Sequence, residues 1–302
     1  MASRPVRFGS VTTSWPSEQL GELTDSTDLL HDVAALRARF AEDGHLLLRA
    51  VIPREVVLGA RARVARVLDD AGALAPGSDP LRLEIGAGES DVPLLGHRPV
   101  THHPDVLAAL EDDGLSDVVA RLLGEEVVTF DFTWLRTVGT EQMTGAHMDV
   151  VYMGRGSPRL VTTWIPLGDV TPEDGTLAVV PGSHRLDSYR RLRETYGRID
   201  VDRDNVAGWF STEPFEVTGE FGGTWATAEL RAGDVIVFGM HTVHASTTNL
   251  TARHRLSCDV RWQPSTDPLD ERWMGEDPPG HVRHDRPPTP VAELRAGWGL
   301  AR

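Results

Sequence analysis

A change of hydrophobic period part-way along the chain predicts a helical segment followed by a double-sheet β-barrel. Three observations carry this. Up to Gly124 the apolar residues recur at helical spacing. Beyond it, five segments alternate with the period of two that marks strands: "EEVVTFDFTWLR", "RLVTTWIPL", "TLAVVPGS", "GDVIVFGM" and "RLSCDVRWQ". In the last of these, Leu256, Cys258, Val260 and Trp262 share one face, whereas Arg255, Ser257, Asp259 and Arg261 share the other. A strand with one apolar and one charged face suits a barrel whose outside packs on helices and whose inside holds a polar ligand. The fold class is therefore mainly β with flanking helices, in a single domain spanning residues 1–302.

Taken in order, residues 1–25 read as an irregular N-terminal arm, and residues 26–124 as a mainly helical packing segment. In "DLLHDVAALRARFAEDG", Leu29, Val33, Leu36 and Phe40 fall on one helical face and Gly44 follows as a stop. "HLLLRAVI" is a short apolar strand. Pro53 then suits the first turn of a helix carrying Val56, Ala60, Val64 and Val67. Residues 71–100, rich in Gly, Pro and Asp, read as loop, and Pro104 opens one further helix ending near Gly124. Residues 125–263 form the barrel core. Within them, 186–224 lack periodicity and read as a mobile lid insertion. Residues 264–302 read as a surface tail.

With 40% hydrophobic and 25% charged residues the composition is that of a globular protein with a core of good size. A net charge of −15 argues against nucleic acid or an anionic membrane as partner. The lone Cys258 rules out an internal disulfide and fits a reducing cytosol. The first residues, "MASRPVRFGSVTTSW", lack the apolar stretch of a secretory signal, and no run approaches the ~18 residues of a membrane span. The expected location is cytoplasmic. All 30 basic residues are arginine, so any cation holding an anionic ligand is Arg or His.

Two His-x-Asp pairs occur. His103-Pro104-Asp105 opens a helical pattern and reads as structural. His147 and Asp149, in "GAHMDVVYMG", lie among strand formers, where residues two apart share a side and would both face the interior. A mononuclear iron site of the facial type needs two His and one carboxylate. The candidates for the third ligand are His184, His241, His244, His254, His281 and His284. His244 is best placed, just past the strand "GDVIVFGM"; His241 would face the opposite side, and His281 and His284 fall in the tail.

The joint occurrence of "HMD", "TTWIPLGDVTPEDGTLAVVPGSH" and "AGDVIVFGMHTVHASTTNLTARHRLSCDVRWQP" closely resembles the phytanoyl-CoA dioxygenase family of iron(II)/2-oxoglutarate oxygenases. "FAEDGHLLLRAVIPREVV" is also similar to that family's N-terminal pattern, so the resemblance spans roughly residues 35–265. It implies a double-stranded β-helix (jelly roll, cupin-like). It places the iron ligands on His147, Asp149 and His244, and the arginine for 2-oxoglutarate on Arg255, eleven residues after His244. Met148 departs from the family, which usually has a polar residue such as Gln there; it should point away from the metal.

The chemistry agrees. Three protein ligands on one face of an octahedron leave two positions for a chelating 2-oxo acid and one for dioxygen. A guanidinium then forks onto the far carboxylate. Thr162 and Ser257 are candidate helpers for that carboxylate, and Trp164, on the strand face of Thr162, could wall the co-substrate pocket or serve as an ordinary core aromatic. Arg136, the odd residue in "DFTWLRTVGT", needs an anion: a carboxylate of 2-oxoglutarate or substrate, or a structural acid. Trp209, Phe210, Phe221 and Trp225, in the presumed lid, line a substrate pocket or pack the lid down. The resemblance implies hydroxylation of an aliphatic C–H of a small molecule in specialised metabolism such as antibiotic biosynthesis. Hydroxyl is the group transferred, because Asp149 occupies the position that related halogenases leave to chloride; succinate and carbon dioxide are the co-products left by 2-oxoglutarate. Desaturation, epoxidation or cyclisation use the same ligands. A metal-dependent isomerase or hydrolase of the cupin type would keep the triad without needing Arg255, and a non-catalytic metal-binding or small-molecule-binding relative is the third reading.

Overall fold

The computed structural model describes residues 4–87, 92 and 94–300. The N-terminal residues are not an irregular arm. β1 (Arg4–Phe8) and β2 (Val11–Trp15) form an antiparallel hairpin, and β3 (Leu20–Glu22) joins a sheet. Val6, Phe8, Trp15 and Leu20 are buried there. Their period-two spacing is short and embedded in polar residues, so it is only the barrel waiting to be covered that makes strands of it.

The helical segment follows. α1 (Val33–Asp43) is capped by the Asp32 carboxylate, which accepts from the Ala35 N–H, and stops at Gly44, whose φ of 75° suits glycine. After it come β4 (His45–Leu48) and α2 (Arg54–Asp70), then α3 (Arg98–Thr101), α4 (Pro104–Leu110) and α5 (Asp113–Leu123). The single helix expected over 105–124 is two, because the Asp112 carboxylate takes the N–H groups of Gly114 and Leu115 and starts a second helix.

β5 (Val127–Thr129) and β6 (Trp134–Val138) were expected as one strand. Residues 130–133 separate them, and the Phe132 N–H there leaves the sheet for the Trp273 carbonyl. The remaining elements are α6 (Val150–Met153), β7 (Val161–Pro166), β8 (Leu177–Val179), α7 (Arg190–Glu194), α8 (Val201–Asp204) and α9 (Pro214–Phe221). Then come β9 (Trp225–Thr227), β10 (Val235–Gly239), β11 (His244–Ser246), β12 (Arg255–Pro264) and α10 (Val291–Trp298).

Two sheets face one another. The larger runs β4-β10-β7-β12, antiparallel throughout, with β5 and β6 both along the outer edge of β12. The smaller runs β11-β8-β9-β3. Between them lie Trp164, Leu177, Val179, Ile236 and Phe238. The outer face of β12 carries Leu256, Cys258, Val260 and Trp262 onto Ala60, Val64 and Leu68 of α2 and Leu115 and Val119 of α5, as its alternation predicts. This is a jelly roll with helices against one sheet.

Residues 186–224 are not a loose lid. They contain α7, α8 and α9, and Tyr189, Tyr196, Phe210 and Phe221 are buried against the smaller sheet. Trp225 lies in β9, edge-on to Phe8, and donates its Nε1–H to the Pro214 carbonyl at 2.8 Å. The tail is not a free surface segment either. Trp273, Trp298 and Leu300 are buried, and the Asn205 side-chain amide donates to the carbonyls of Arg286 and Pro287. The tail thus straps the insertion down.

Candidate metal centre

The site begins with a backbone pairing. His147 and His244 exchange both N–H···O=C bonds, at 3.0 Å each way, as an antiparallel hydrogen-bonded pair. Their side chains therefore leave on the same side, with ring centroids 4.0 Å apart. The strand expected to continue through Asp149 ends here. Asp149 has helical backbone angles, φ −62° and ψ −22°, and its carbonyl accepts from the N–H groups of Tyr152 and Met153 to start α6. A helical turn, not strand alternation, brings its carboxylate to the histidines.

Each imidazole is held in one tautomer. Nδ1 of His147 donates to the Gly145 carbonyl at 2.8 Å, and Nδ1 of His244 to the Thr242 carbonyl at 3.0 Å. A carbonyl only accepts, so the hydrogen sits on Nδ1 and the lone pair of Nε2 faces the interior. Both Nε2 atoms lie 3.7 Å from Asp149 Oδ1, and one ligand atom from each of the three residues can be chosen within 4.8 Å of the others. Burial, followed by the neighbouring His244, pushes His147 down to about 3, and burial lowers His244 as well. Burial alone would raise Asp149, but Arg261, His244, His147 and the Thr162 hydroxyl together hold it well below the usual carboxylate range. Two neutral imidazoles and one carboxylate are the donor set of a facial iron(II) site, in the protonation state that a metal requires.

The interior beyond the triad is unusually charged. Asp149 Oδ2 accepts the Thr162 hydroxyl at 2.6 Å and Arg261 Nη2 at 3.2 Å. Arg261 also reaches Asp259 Oδ2 at 3.4 Å and lies over the Trp134 ring, 4.6 Å from its centroid. Arg136 Nε donates to the same Asp259 oxygen at 2.9 Å. Asp259 and Arg261 were legible only as members of the polar face of β12. What they touch depends on a register that pairs Asp259 with Trp134 on β6 and Arg261 with Thr162 on β7. Tyr152, in a segment whose sequence predicts a strand, lies in α6 and stands edge-on to the His147 ring, 5.8 Å between centroids.

Arg255 is buried at the first residue of β12. Its Nη1 bonds the Ser257 hydroxyl, its guanidinium lies 5.5 Å from the Trp164 ring centroid, and its Nε has no partner among the described residues. Burial pushes it down to about 10, partly offset by Asp259, so it remains a cation at neutral pH, with no acid bonded to it among the described residues. Arg255, Ser257 and Trp164 thus come together as expected. Thr162 does not join them; its hydroxyl serves Asp149. Phe210 is fully buried and packs edge-on against Tyr196, and Trp225 is in the core. Of the expected substrate residues, Arg136 and Trp209 do share a cleft of about 620 Å³ with Leu94, Leu95, Gln142 and Met143. Met148 packs in the hydrophobic cluster that includes Tyr196 and Phe210.

Residues 40–257 match the phytanoyl-CoA dioxygenase (PhyH) family. The chain belongs to that family. As a member it is an iron/2-oxoglutarate-dependent dioxygenase, and the His147–Asp149–His244 triad fits the metal such an enzyme uses. Relatives include 1-deoxypentalenic acid 11-beta-hydroxylase of Streptomyces arenae, 26% identical over 268 residues, which covers 83% of this chain and 88% of that one. L-proline trans-4-hydroxylase of Streptomyces griseoviridis is 34% identical over 120 residues, 36% of this chain and 44% of that one. Among solved structures, the epimerase SnoN in complex with Fe3+, alpha ketoglutarate and nogalamycin RO superposes with a TM-score of 0.56 at 20% identity, covering 86% and 96% of the two chains. EctD from S. alaskensis does so with 0.55 at 22%, covering 95% of each. These likenesses show the dioxygenase's jelly-roll fold. No described helix is long and apolar enough to cross a membrane.

Proposed function

We propose that this dioxygenase hydroxylates an aliphatic C–H bond of a small molecule in natural-product metabolism, releasing succinate and carbon dioxide. The observation that carries this is the complete triad, with Asp149 present as a buried carboxylate aimed at both histidines. Iron(II), when bound with 2-oxoglutarate and dioxygen, supplies the oxidising power to break an unactivated C–H bond. His147 and His244 offer Nε2, each ring fixed through Nδ1. Asp149 offers Oδ1, which Arg261 Nη2 also approaches at 3.4 Å, while the Thr162 hydroxyl and the closer Arg261 bond take Oδ2. Arg255, steadied by Ser257 and Trp164, takes the distal carboxylate of 2-oxoglutarate; its unpartnered Nε and lack of a bonded acid among the described residues support that role. The substrate enters the cleft walled by Trp209 and Arg136. A cytosolic location accords with the single buried Cys258, and the net charge of −15 disfavours nucleic acid as a partner.

The test is mass spectrometry of the product formed under labelled dioxygen by the iron-loaded protein. One labelled oxygen gained per succinate is the expected result. A product two hydrogens lighter without added oxygen replaces hydroxylation by desaturation or cyclisation, and an unchanged mass with altered stereochemistry replaces it by epimerisation. No 2-oxoglutarate turnover with any compound rejects the oxygenase assignment for this chain.

A further inference from the structure

We infer that the substrate is an amphipathic monocarboxylic acid whose carboxylate docks on Arg136; this rests on the oxygenase reading above. The first argument is charge. Between Asp149 and Arg255 the interior holds three guanidiniums, Arg136, Arg255 and Arg261, against two carboxylates, Asp149 and Asp259. One positive charge is left over. A divalent metal with a dianionic 2-oxo acid leaves that count unchanged. Uncompensated charge in a partly dry cleft is unfavourable, and a monoanion removes it.

The second argument is access. Arg255 and Arg261 are sealed, at 4% and 3% exposure. The Arg136 side chain is 37% exposed. Only its Nε is engaged, on Asp259, and its two terminal nitrogens bond nothing among the described residues. Asp259 thus fixes the guanidinium by its inner edge and leaves the outer fork open, the geometry that receives a carboxylate through two parallel bonds. The fixing acid is itself shared with Arg261, so it does not neutralise Arg136 alone.

The third argument is the wall of the cleft. Leu94, Leu95, Met143 and Trp209 line it beside Arg136, with Leu95 and Trp209 49% and 41% exposed; Glu141 also lines it, its charge met by Arg7. An apolar body laid on these side chains covers surface that water now meets. About 620 Å³ is room for a small molecule. One spare positive charge, in a chain whose basic residues are all arginine, suits a monoanion and not the polyphosphate of a CoA thioester.

The experiment is calorimetric titration of the full chain loaded with iron(II) and 2-oxoglutarate under argon. The probes are a panel of apolar carboxylic acids of graded chain and ring size, each paired with its primary amide, plus coenzyme A. At least one acid should bind tenfold or more tightly than its amide. In Arg136→Gln the preference should vanish; in Arg136→Lys it should persist in part, while the 2-oxoglutarate Kd stays within twofold in both. The comparison in the unaltered protein needs no variant to fold. No acid preferred over its amide, or coenzyme A bound more tightly than every acid, overturns the inference. A tenfold loss of 2-oxoglutarate affinity in Arg136→Gln with acid binding unchanged overturns it in favour of a co-substrate role. Succinate release is followed separately, so an acid that binds a protein unable to turn over 2-oxoglutarate sinks the oxygenase reading and not this one.

Discussion

Asp149 turns one carboxylate oxygen to His147 and His244 and the other to Thr162. Oδ1 lies 3.7 Å from both Nε2 atoms; Oδ2 takes the Thr162 hydroxyl at 2.6 Å. A carboxylate tied back in this way is oriented as a one-oxygen ligand. Thr162→Val keeps the shape and removes the tie. Ferrous affinity should fall by about tenfold, the low end for the loss of an outer partner of a metal ligand, while 2-oxoglutarate binding, measured at saturating metal, changes far less. A variant that instead loses 2-oxoglutarate affinity with metal affinity intact would return Thr162 to the co-substrate role that its strand position suggested.

His244→Ala should abolish metal binding and turnover, because the backbone pair with His147 aims its Nε2 at Asp149. His241 lies outside the metal cluster, so His241→Ala should retain the metal. Equilibrium dialysis of both variants decides between them, and metal loss confined to His241→Ala would refute the assignment.

Arg255→Lys keeps a charge but not the fork. A charge-assisted hydrogen bond contributes ~1.5–3 kcal/mol, so the 2-oxoglutarate KM should rise about tenfold or more. The ratio of KM to kcat effects is the readout, and an unchanged KM in Arg255→Ala would remove the role.

The insertion should resist proteolysis despite its arginines. Arg272, buried in the tail, pairs with Asp202 of α8 and with Asp270, and donates to the Tyr152 carbonyl at 2.7 Å. Arg272→Ala removes the guanidinium from two buried carboxylates, leaving Asp202 with His281 and the Val282 N–H and Asp270 with the backbone N–H of residue 272, a cost of up to about 3–5 kcal/mol. Trypsin should then cut at Arg198 or Arg203 in the variant well before the parent chain. Equal rates in both would show that the strap does not hold the insertion.

Much of this protein was legible in order along the chain. The change of period at Gly124 separates helices from barrel. The alternation of β12 assigns its apolar face to packing helices, and the motifs that carry His147, Asp149, His244 and Arg255 resemble those of an iron/2-oxoglutarate oxygenase family. These are readable because side-chain periodicity and motif spacing are local properties. Tertiary structure decided what depends on contacts between distant segments. Residues 4–22 become strands because the barrel offers them a sheet edge and a surface to cover, and residues 186–224 become packed helices because the tail closes over them. Asp149 reaches the histidines from a helical turn, a conformation its strand-forming neighbours do not announce. Above all, the register of β12 against β6 and β7 places Arg261 on Asp149 and Arg136 on Asp259. One residue of slip would reverse every inward side chain, and no local pattern encodes which opposing residues meet.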